Sequence, residues 1–510
     1  MRLSETDASF IYAESASGPM HISSVYVLEG ELAYARVLER FRARLHLIPA
    51  YRRKLAPVPL NLAHPEWVDD PDFELTEHVL HHVLPPDSTL DDGIAAAVTL
   101  NEPLLDRSRP LWKLVVVTGV PSHTLILQAT HHAMIDGASG IELTTILYDL
   151  DPRAGEPEPA PWAPREPAGA LTRFGQALRE QVDTWREGDP LRLFRGGAKQ
   201  LALLAKATEV CARFVLQPAI LAPFNAGLVG PRRRVAWLKR SFAELRDIRR
   251  TFGGTINDVV LAVVSEAVAR YLSRHDERNS NQYLRIMCPV NVRTENQQGA
   301  LGNQVSGIFP RLPAWPMDAV ERLRTVIQTM DAIKDGEEAQ ALTLMREAMP
   351  TLPPVGMAAT QLVGTRYDPT ALAARVAMPV LPSPTGFRPP NPGINFVCTN
   401  VPGVQVPQYL CGHPVRDTLG LLVLTGNIGL GVTILSYNKE LFFTFICEPR
   451  LLPDVDTLAE LATEAFDELK RAADSPNRAP ASTQTETDQP TTDQPQPAPP
   501  ASSRPDRDPT

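Results

Sequence analysis

Two adjacent histidines, His131 and His132, are followed after three residues by Asp136 and Gly137 in the segment HHAMIDG. Four fixed positions in this order arise by chance in about one chain in a thousand of ordinary composition and this length. A neutral imidazole, with an unperturbed pKa of about 6.5, can take a proton from a hydroxyl or thiol near neutrality. Asp136, four residues beyond His132, could fix the ring directly or brace the loop through a more distant cation. Gly137 permits backbone angles that other residues resist and disfavours one uninterrupted helix through the motif. On a helix face, His132 and Asp136 could also be two metal ligands. No nearby HExxH, cysteine pair or further histidine completes such a site, so no metal is expected. A plainer reading has one histidine packed and Asp136 capping the next helix. His131 is open to either a structural or a chemical role.

These residues need rigid flanks. Thr124 to Thr130 is an apolar, strand-like run in which Leu125 and Leu127 share one face, and Ala138 to Tyr148 reads as a helix. The motif therefore falls on a strand-to-helix connection, where side chains can be held firmly and still meet a substrate.

The chain has 510 residues, 43% hydrophobic and 21% charged, enough for more than one domain or one large two-lobed unit. A formal net charge of -9 argues against general nucleic-acid binding. The five cysteines, at 211, 288, 398, 411 and 447, are widely spaced and odd in number, which fits neither a metal pattern nor a small disulfide framework. Cys288 and Cys398 lie in apolar runs and read as inert core thiols. The opening MRLSETDASF lacks the charged-then-apolar layout of a secretory signal. No stretch reaches the roughly 18 to 20 apolar residues of a membrane span. Leu201 to Leu216 comes closest, interrupted by Lys206, Glu209 and Arg213.

Residues 1–150 mix strand-like runs (Ser23 to Leu28, Lys113 to Val117) with helical segments at Leu32 to Leu45 and Ile94 to Leu100. Prolines between Asp151 and Pro164 break all periodicity and suggest an extended connection. Helical spacing returns at Leu171 to Trp185 and Ala198 to Leu216, so 151–230 reads as a linker with helices. A second lobe spans 231–473. Its expected strands are Arg234 to Arg240, Leu284 to Val292, Gly393 to Thr399, Gly429 to Ser436 and Glu440 to Ile446. Its expected helices are Phe242 to Phe252, Asn257 to Leu272 and Asp454 to Ala473. Residues 474–510 are rich in Pro, Ser, Thr, Gln and Asp and should form a disordered tail.

HHAMIDG resembles the motif of CoA-dependent acyltransferases with the chloramphenicol-acetyltransferase-like fold, a group that includes peptide-synthetase condensation domains. Further segments narrow the resemblance to the bacterial wax ester synthase/diacylglycerol acyltransferase family. They are LSETDASF (Leu3 to Phe10), GPMH (Gly18 to His21), PLW (Pro110 to Trp112), TIND (Thr255 to Asp258) and PVNVR (Pro289 to Arg293), the last with Asn291 where serine is commoner. Gly302-Asn303, TNVPG (Thr399 to Gly403) and LSY (Leu435 to Tyr437) complete an ordered series over residues 1 to about 470.

The resemblance implies an α/β, two-lobed acyltransferase fold with mixed sheets and an active-site channel between the lobes. It implies transfer of a long-chain acyl group from acyl-CoA, a co-substrate with no permanently bound cofactor, to diacylglycerol, giving triacylglycerol. His132 would be the general base and Asp136 an organiser of its loop. His131, Gly137, Asn257, Asp258 and Arg293 would support the site, with Arg293 pairing Asp136 or another acid. Asn257 and Asp258 read equally as a helix cap. Pro110, Leu111 and Trp112 would shape the substrate channel or position the following strand by packing. Arg232, Arg233 and Arg234 read as a solvated face or as a contact for CoA phosphates or anionic lipid. Asn303 and Asn400 read as turn residues. The implied location is cytoplasmic, peripheral to the inner face of the plasma membrane or to lipid droplets, with Ala198 to Leu216 as a candidate contact. A fatty-alcohol acceptor giving wax esters, a carrier-bound acyl donor, and a catalytically weak lipid-binding protein are the alternatives.

Overall fold

Apolar residues without a polar alternate face require a strand covered on both sides, and the run leading into His131 meets that requirement. The computed structural model describes residues 1–134, 143–187, 209, 216–275, 280–291, 305–335 and 393–475. Apart from short 3-10 turns, its N-terminal half contains α1 (Glu5–Ala13), β1 (His21–Glu29), α2 (Tyr34–Arg44), β2 (Arg53–Ala56), β3 (Glu66–Asp69), β4 (Val79–Val83), α3 (Leu90–Asn101), β5 (Trp112–Val120), β6 (His123–His131) and α4 (Ala170–Glu187). The C-terminal half contains β7 (Arg234–Ser241), α5 (Phe242–Phe252), α6 (Ile256–Arg274), β8 (Tyr283–Asn291), β9 (Val305–Ile308), β10 (Arg311–Pro313) and α7 (Ala319–Asp335). It continues with β11 (Phe396–Pro402), β12 (Tyr409–Leu410), β13 (His413–Leu421), β14 (Leu430–Tyr437), β15 (Glu440–Cys447) and α8 (Val455–Asp474).

The first sheet has the order β12-β13-β1-β6-β5-β4, so β6 lies inside it between β1 and β5. On one face Leu125 and Leu127 pack with Val25, Val115 and the α3 residues Ile94, Ala97 and Val98. On the other, Ile126 joins Tyr26, Leu114, Phe41 and Trp112. The second sheet runs β10-β8-β11-β14-β15-β7, with β9 paired to β8. Here β11 is parallel to β8 and β14, whereas β15 is antiparallel to β14 and β7. Both sheets are mixed, as expected of the fold class. Helix α6, buried along most of its length, packs with α7 and α8 over the second core.

Residues 1–474 form one compact unit, and the two sheets share chain. Strand β13, from the C-terminal half, pairs with β1 from Ser23 opposite Leu421 to Leu28 opposite Val415. A division into 1–150 and 231–473 thus separates segments of sequence but not the sheets. The stretch His413 to Asp417 has too little apolar alternation to announce a strand. The proline-rich connection is also anchored. Glu156 accepts hydrogen bonds from Arg40 (2.7 Å) and Arg44 (3.0 Å) of α2. Trp162 lies under the Arg52 guanidinium, 4.8 Å from its ring centroid, and edge-on to Phe73.

Most of the expected Ala198 to Leu216 helix and the tail beyond residue 475 lie outside the described residues. No single described helix is long and apolar enough to cross a membrane.

Candidate active site

Strand β6 ends on His131, and the chain turns at His132. Backbone bonds fix this point from two directions. The His131 N–H donates to the Leu111 carbonyl (2.9 Å), and the His132 N–H donates to the Met20 carbonyl (2.7 Å). A further bond from the Met134 N–H to the His131 carbonyl (2.8 Å) closes the turn. The His132 ring is half-buried and lies flat on Phe10 of α1, with centroids 4.0 Å apart. Helix α1 begins there because Ser4 caps it, its hydroxyl oxygen accepting from the Asp7 N–H.

His131 is wholly buried. Its Nδ1 accepts from the Ala133 N–H at 3.0 Å, which places the ring proton on Nε2, 3.3 Å from Glu14 Oε1. Glu14 also accepts from the Met20 N–H (3.1 Å) and from Arg107 Nη2 (2.9 Å). Burial alone would raise the Glu14 carboxyl, but His131, the Met20 amide and Arg107 together hold it down at about 2. His131 is thus wholly buried among these polar groups, whereas His132 is only partly buried.

On the α3 side of the sheet, His21 and Lys113 donate to the last carbonyls of α3. His21 Nε2 reaches Asn101 O at 2.7 Å and Lys113 Nζ reaches Leu100 O at 2.8 Å. Burial pulls His21 down to about 4 and Lys113 to about 8. Donors at a helix C-terminus satisfy carbonyls that the helix itself leaves unpaired.

Leu111 and Trp112 are buried, the tryptophan stacked on Tyr51 at 4.3 Å and on His78 at 4.7 Å. Its Nε1–H donates to the Tyr51 carbonyl at 2.8 Å. These two side chains, with buried Pro110 before them, belong to the core behind the sheet, and the Leu111 carbonyl positions His131. A small cavity of about 40 Å³ opens next to the motif, lined by Ala133, Met134, Ala50, Trp67, Met1, Asp7 and Arg53.

Asp258 forms a capping box at the head of α6, its Oδ2 accepting from the Thr255 N–H (2.7 Å) and hydroxyl (2.8 Å). Exposed Asn257 accepts a hydrogen bond from the side-chain amide of Asn400. Asn400 lies within β11, not in the turn expected for it, because TNVPG supplies the end of that strand. Asp136, Gly137, Arg293 and Asn303 lie outside the described residues.

Within the arginine cluster, Arg232 and Arg234 are exposed, as a solvated face requires, and Arg233 departs from it. Arg233 donates through Nη2 to the carbonyls of Ser17 (2.7 Å) and Leu424 (3.3 Å), while its backbone N–H bonds Glu102 (2.8 Å). Arg232 also pairs Glu102, and Arg234 pairs Asp456. The contacts of Arg232 and Arg233 join the two halves, and those of Arg233 commit its guanidinium to structure. The segment preceding His21 lies at this junction: a Cβ added to Gly18 would sit 3.2 Å from the Leu424 carbonyl. HHAMIDG therefore begins where the N-terminal half meets the crossover from the C-terminal half.

Phe10, Glu14, Met20, His21 and Lys113 were not individually foreseen as parts of this site. Phe10, Met20 and His21 fall in the quoted LSETDASF and GPMH segments, whose spacing gives no clue to a ring stack. Glu14, a lone carboxylate between those segments, has no local signature. The four cysteines at 288, 398, 411 and 447 are free thiols, and burial pushes Cys398 up to about 12 and Cys288 well above its usual range.

Comparison with known proteins bears on this site. Residues 3–260 match the wax ester synthase/diacylglycerol acyltransferase catalytic domain, and residues 301–470 match the WS/DGAT C-terminal domain. A Mycobacterium tuberculosis protein named as a diacylglycerol O-acyltransferase is 30% identical, with 93% of this chain and 91% of that protein covered. A second protein of that organism carrying the same activity in its name is 27% identical over 90% of this chain and 93% of its own length. Among solved structures, the wax ester synthase/diacylglycerol acyltransferase from Marinobacter aquaeolei VT8 superposes with a TM-score of 0.63 at 21% identity, covering 93% of this chain and 100% of that one. The starter condensation domain of rhizomide synthetase, solved with C8-CoA and Leu-SNAC, gives 0.56 at 15% identity, covering 92% and 94%.

Proposed function

Because this chain belongs to the wax ester synthase/diacylglycerol acyltransferase family, we propose that it transfers a long-chain acyl group from acyl-CoA to diacylglycerol, with His132 as general base. The observation that carries the assignment of the base is the placement of His132. Its side chain is partly buried at a fixed turn, whereas the ring of His131 is wholly buried against Glu14. The names of the two mycobacterial relatives favour diacylglycerol as acceptor.

In this mechanism His132 takes the proton of the acceptor hydroxyl as its oxygen attacks the thioester carbonyl. The carbon–sulfur bond then breaks, and the same proton passes to the departing CoA thiolate, leaving an ester and free CoA. Positioned acid–base catalysis contributes about 10² to 10⁴-fold. Orientation of the two substrates and stabilisation of the developing oxyanion supply the rest. Asp136 organises the loop in this reading. The substrates are poorly soluble lipids, so the protein works at a cytoplasmic membrane face or lipid-droplet surface; flotation with lipid vesicles tests this, and a protein that stays wholly in the aqueous fraction removes it.

The test of the reaction is CoA release with palmitoyl-CoA and either diacylglycerol or hexadecanol, for the wild type beside His132→Ala, with products identified by mass spectrometry. Triacylglycerol that disappears in the variant supports the proposal. Wax ester in place of triacylglycerol assigns a fatty-alcohol acceptor, and equal activity in both proteins removes His132 from the mechanism.

A further inference from the structure

We propose that Glu14 is a positioning residue for His132, a single buried carboxylate on which three separate restraints of the catalytic turn converge. The inference rests on the reading of His132 as the base.

The first restraint is the segment before β1. Glu14 Oε1 accepts from the Met20 N–H at 3.1 Å, and the carbonyl of the same Met20 accepts from the His132 N–H at 2.7 Å. The second is the neighbouring imidazole. His131 Nε2 lies 3.3 Å from Glu14 Oε1, and Nδ1 across the ring holds the Ala133 N–H at 3.0 Å. The residues on both sides of His132, and its own amide, therefore trace back to one oxygen.

The third restraint is α1. Glu14 ends that helix, its N–H donating to the carbonyl of Phe10 at 3.2 Å, and Phe10 carries the ring stacked on His132. Arg107 fixes the other carboxylate oxygen, from Nε at 3.2 Å and Nη2 at 2.9 Å, and also donates to the Ile11 carbonyl at 2.7 Å.

The Glu14 side chain is 1% exposed. A helix end needs no buried carboxylate, and an isolated one would be costly there. Its contacts repay burial by locking geometry: the Ala133 N–H on Nδ1 places the His131 proton on Nε2, and that edge of the ring faces the Glu14 carboxylate at 3.3 Å. Small displacements of a catalytic group cost rate steeply, about 10²-fold for 1 Å.

The experiment uses full-length Glu14→Gln, with Glu14→Ala and His132→Ala alongside. Steady-state kcat and KM are measured for acyl-CoA, together with ¹⁵N-histidine NMR of the ring tautomers. Glutamine keeps an acceptor for Met20 but loses the charge that faces His131 and Arg107. The expected result is a fall in kcat of about 10- to 100-fold with KM within about twofold, and a shifted His131 Nε2 resonance, since the charge 3.3 Å from that nitrogen is gone. Rates are corrected for the folded fraction from thermal melts; if the alanine variant does not fold, the glutamine variant decides. Wild-type kcat with an unshifted His131 Nε2 resonance in Glu14→Gln, while His132→Ala is inactive, overturns the role of Glu14 and leaves the base reading standing. Full activity of His132→Ala instead removes the base reading, and with it this positioning role, whatever the tautomer.

Discussion

The rings of His132 and Phe10 are 6° from parallel, so the imidazole has an aromatic floor supplied by the first helix of the chain. That floor restricts the ring to one plane. Its worth can be bounded: aromatic pairs contribute about 0.5–1.5 kcal/mol beyond area burial. If that stabilisation is expressed in the transition state, Phe10→Ala lowers kcat roughly 2- to 12-fold. Phe10→Tyr, which keeps the ring, should stay near wild type in the same assay.

Asp258 separates a helix cap from a participant in chemistry. Its carboxylate holds both the Thr255 amide and hydroxyl. Asp258→Ala should cost about 1 kcal/mol in urea unfolding, and Asp258→Asn, which retains an acceptor, should recover most of it. In both variants kcat per folded molecule should remain within about twofold. A large kcat loss in Asp258→Asn at unchanged stability would assign the carboxylate to the reaction.

Trp112 tests the PLW segment as core. Trp112→Ala empties a site only 2% exposed and should cost about 3–5 kcal/mol in chemical denaturation. Trp112→Phe keeps a ring against Tyr51 but strands the Tyr51 carbonyl, a loss of about 1–3 kcal/mol. Activity at low temperature should follow the folded fraction in both.

Among the groups that make stability depend on pH, His21 and Glu14 act in adjoining windows. Burial lowers folded His21 from 6.5 to about 4. Between those values the unfolded chain binds the proton and the folded one does not. This contribution is therefore complete above 6.5 and is lost as pH falls towards 4. Glu14 is lowered from 4.5 to about 2, so its contribution is complete above 4.5 and disappears as pH falls through 2. Each window carries about 3 kcal/mol by linkage. Equilibrium unfolding at a series of pH values should show His21→Gln flattening the upper window and Glu14→Gln the lower. An unchanged profile in either variant would exclude that group as the source.

Much of this architecture was legible from periodicity. Leu125 and Leu127 do share a covered face, and the helices starting at Phe242 and Ile256 follow their apolar spacing and their Ser241 and Thr255 caps. The histidine pair was legible because its spacing is rare. What escaped depended on distance along the chain. Glu14 meets His131 across more than a hundred residues, and Tyr437 of LSY bonds the carbonyl of Val415 and the amide of Gln408 to secure the crossover. Neither partner has a pattern in its own neighbourhood. Arg232 and Arg234 are the exposed surface their charge suggested, whereas local sequence conceals Glu102 and the Ser17 and Leu424 carbonyls that bind Arg233.

The pairing of Ser23 with Leu421 also sets a timetable for the nascent protein. At about 5–20 residues per second, the ribosome delivers β13 roughly 20–80 s after β1. Throughout that interval β1 can bond β6 on one side only, and its other side is an open template for foreign strands. Full-length synthesis thus competes with aggregation, and a chain released early, such as one ending near residue 230, cannot complete the sheet that carries His131. Chaperone supply and translation speed should limit the yield of this enzyme more than the stability of its finished fold.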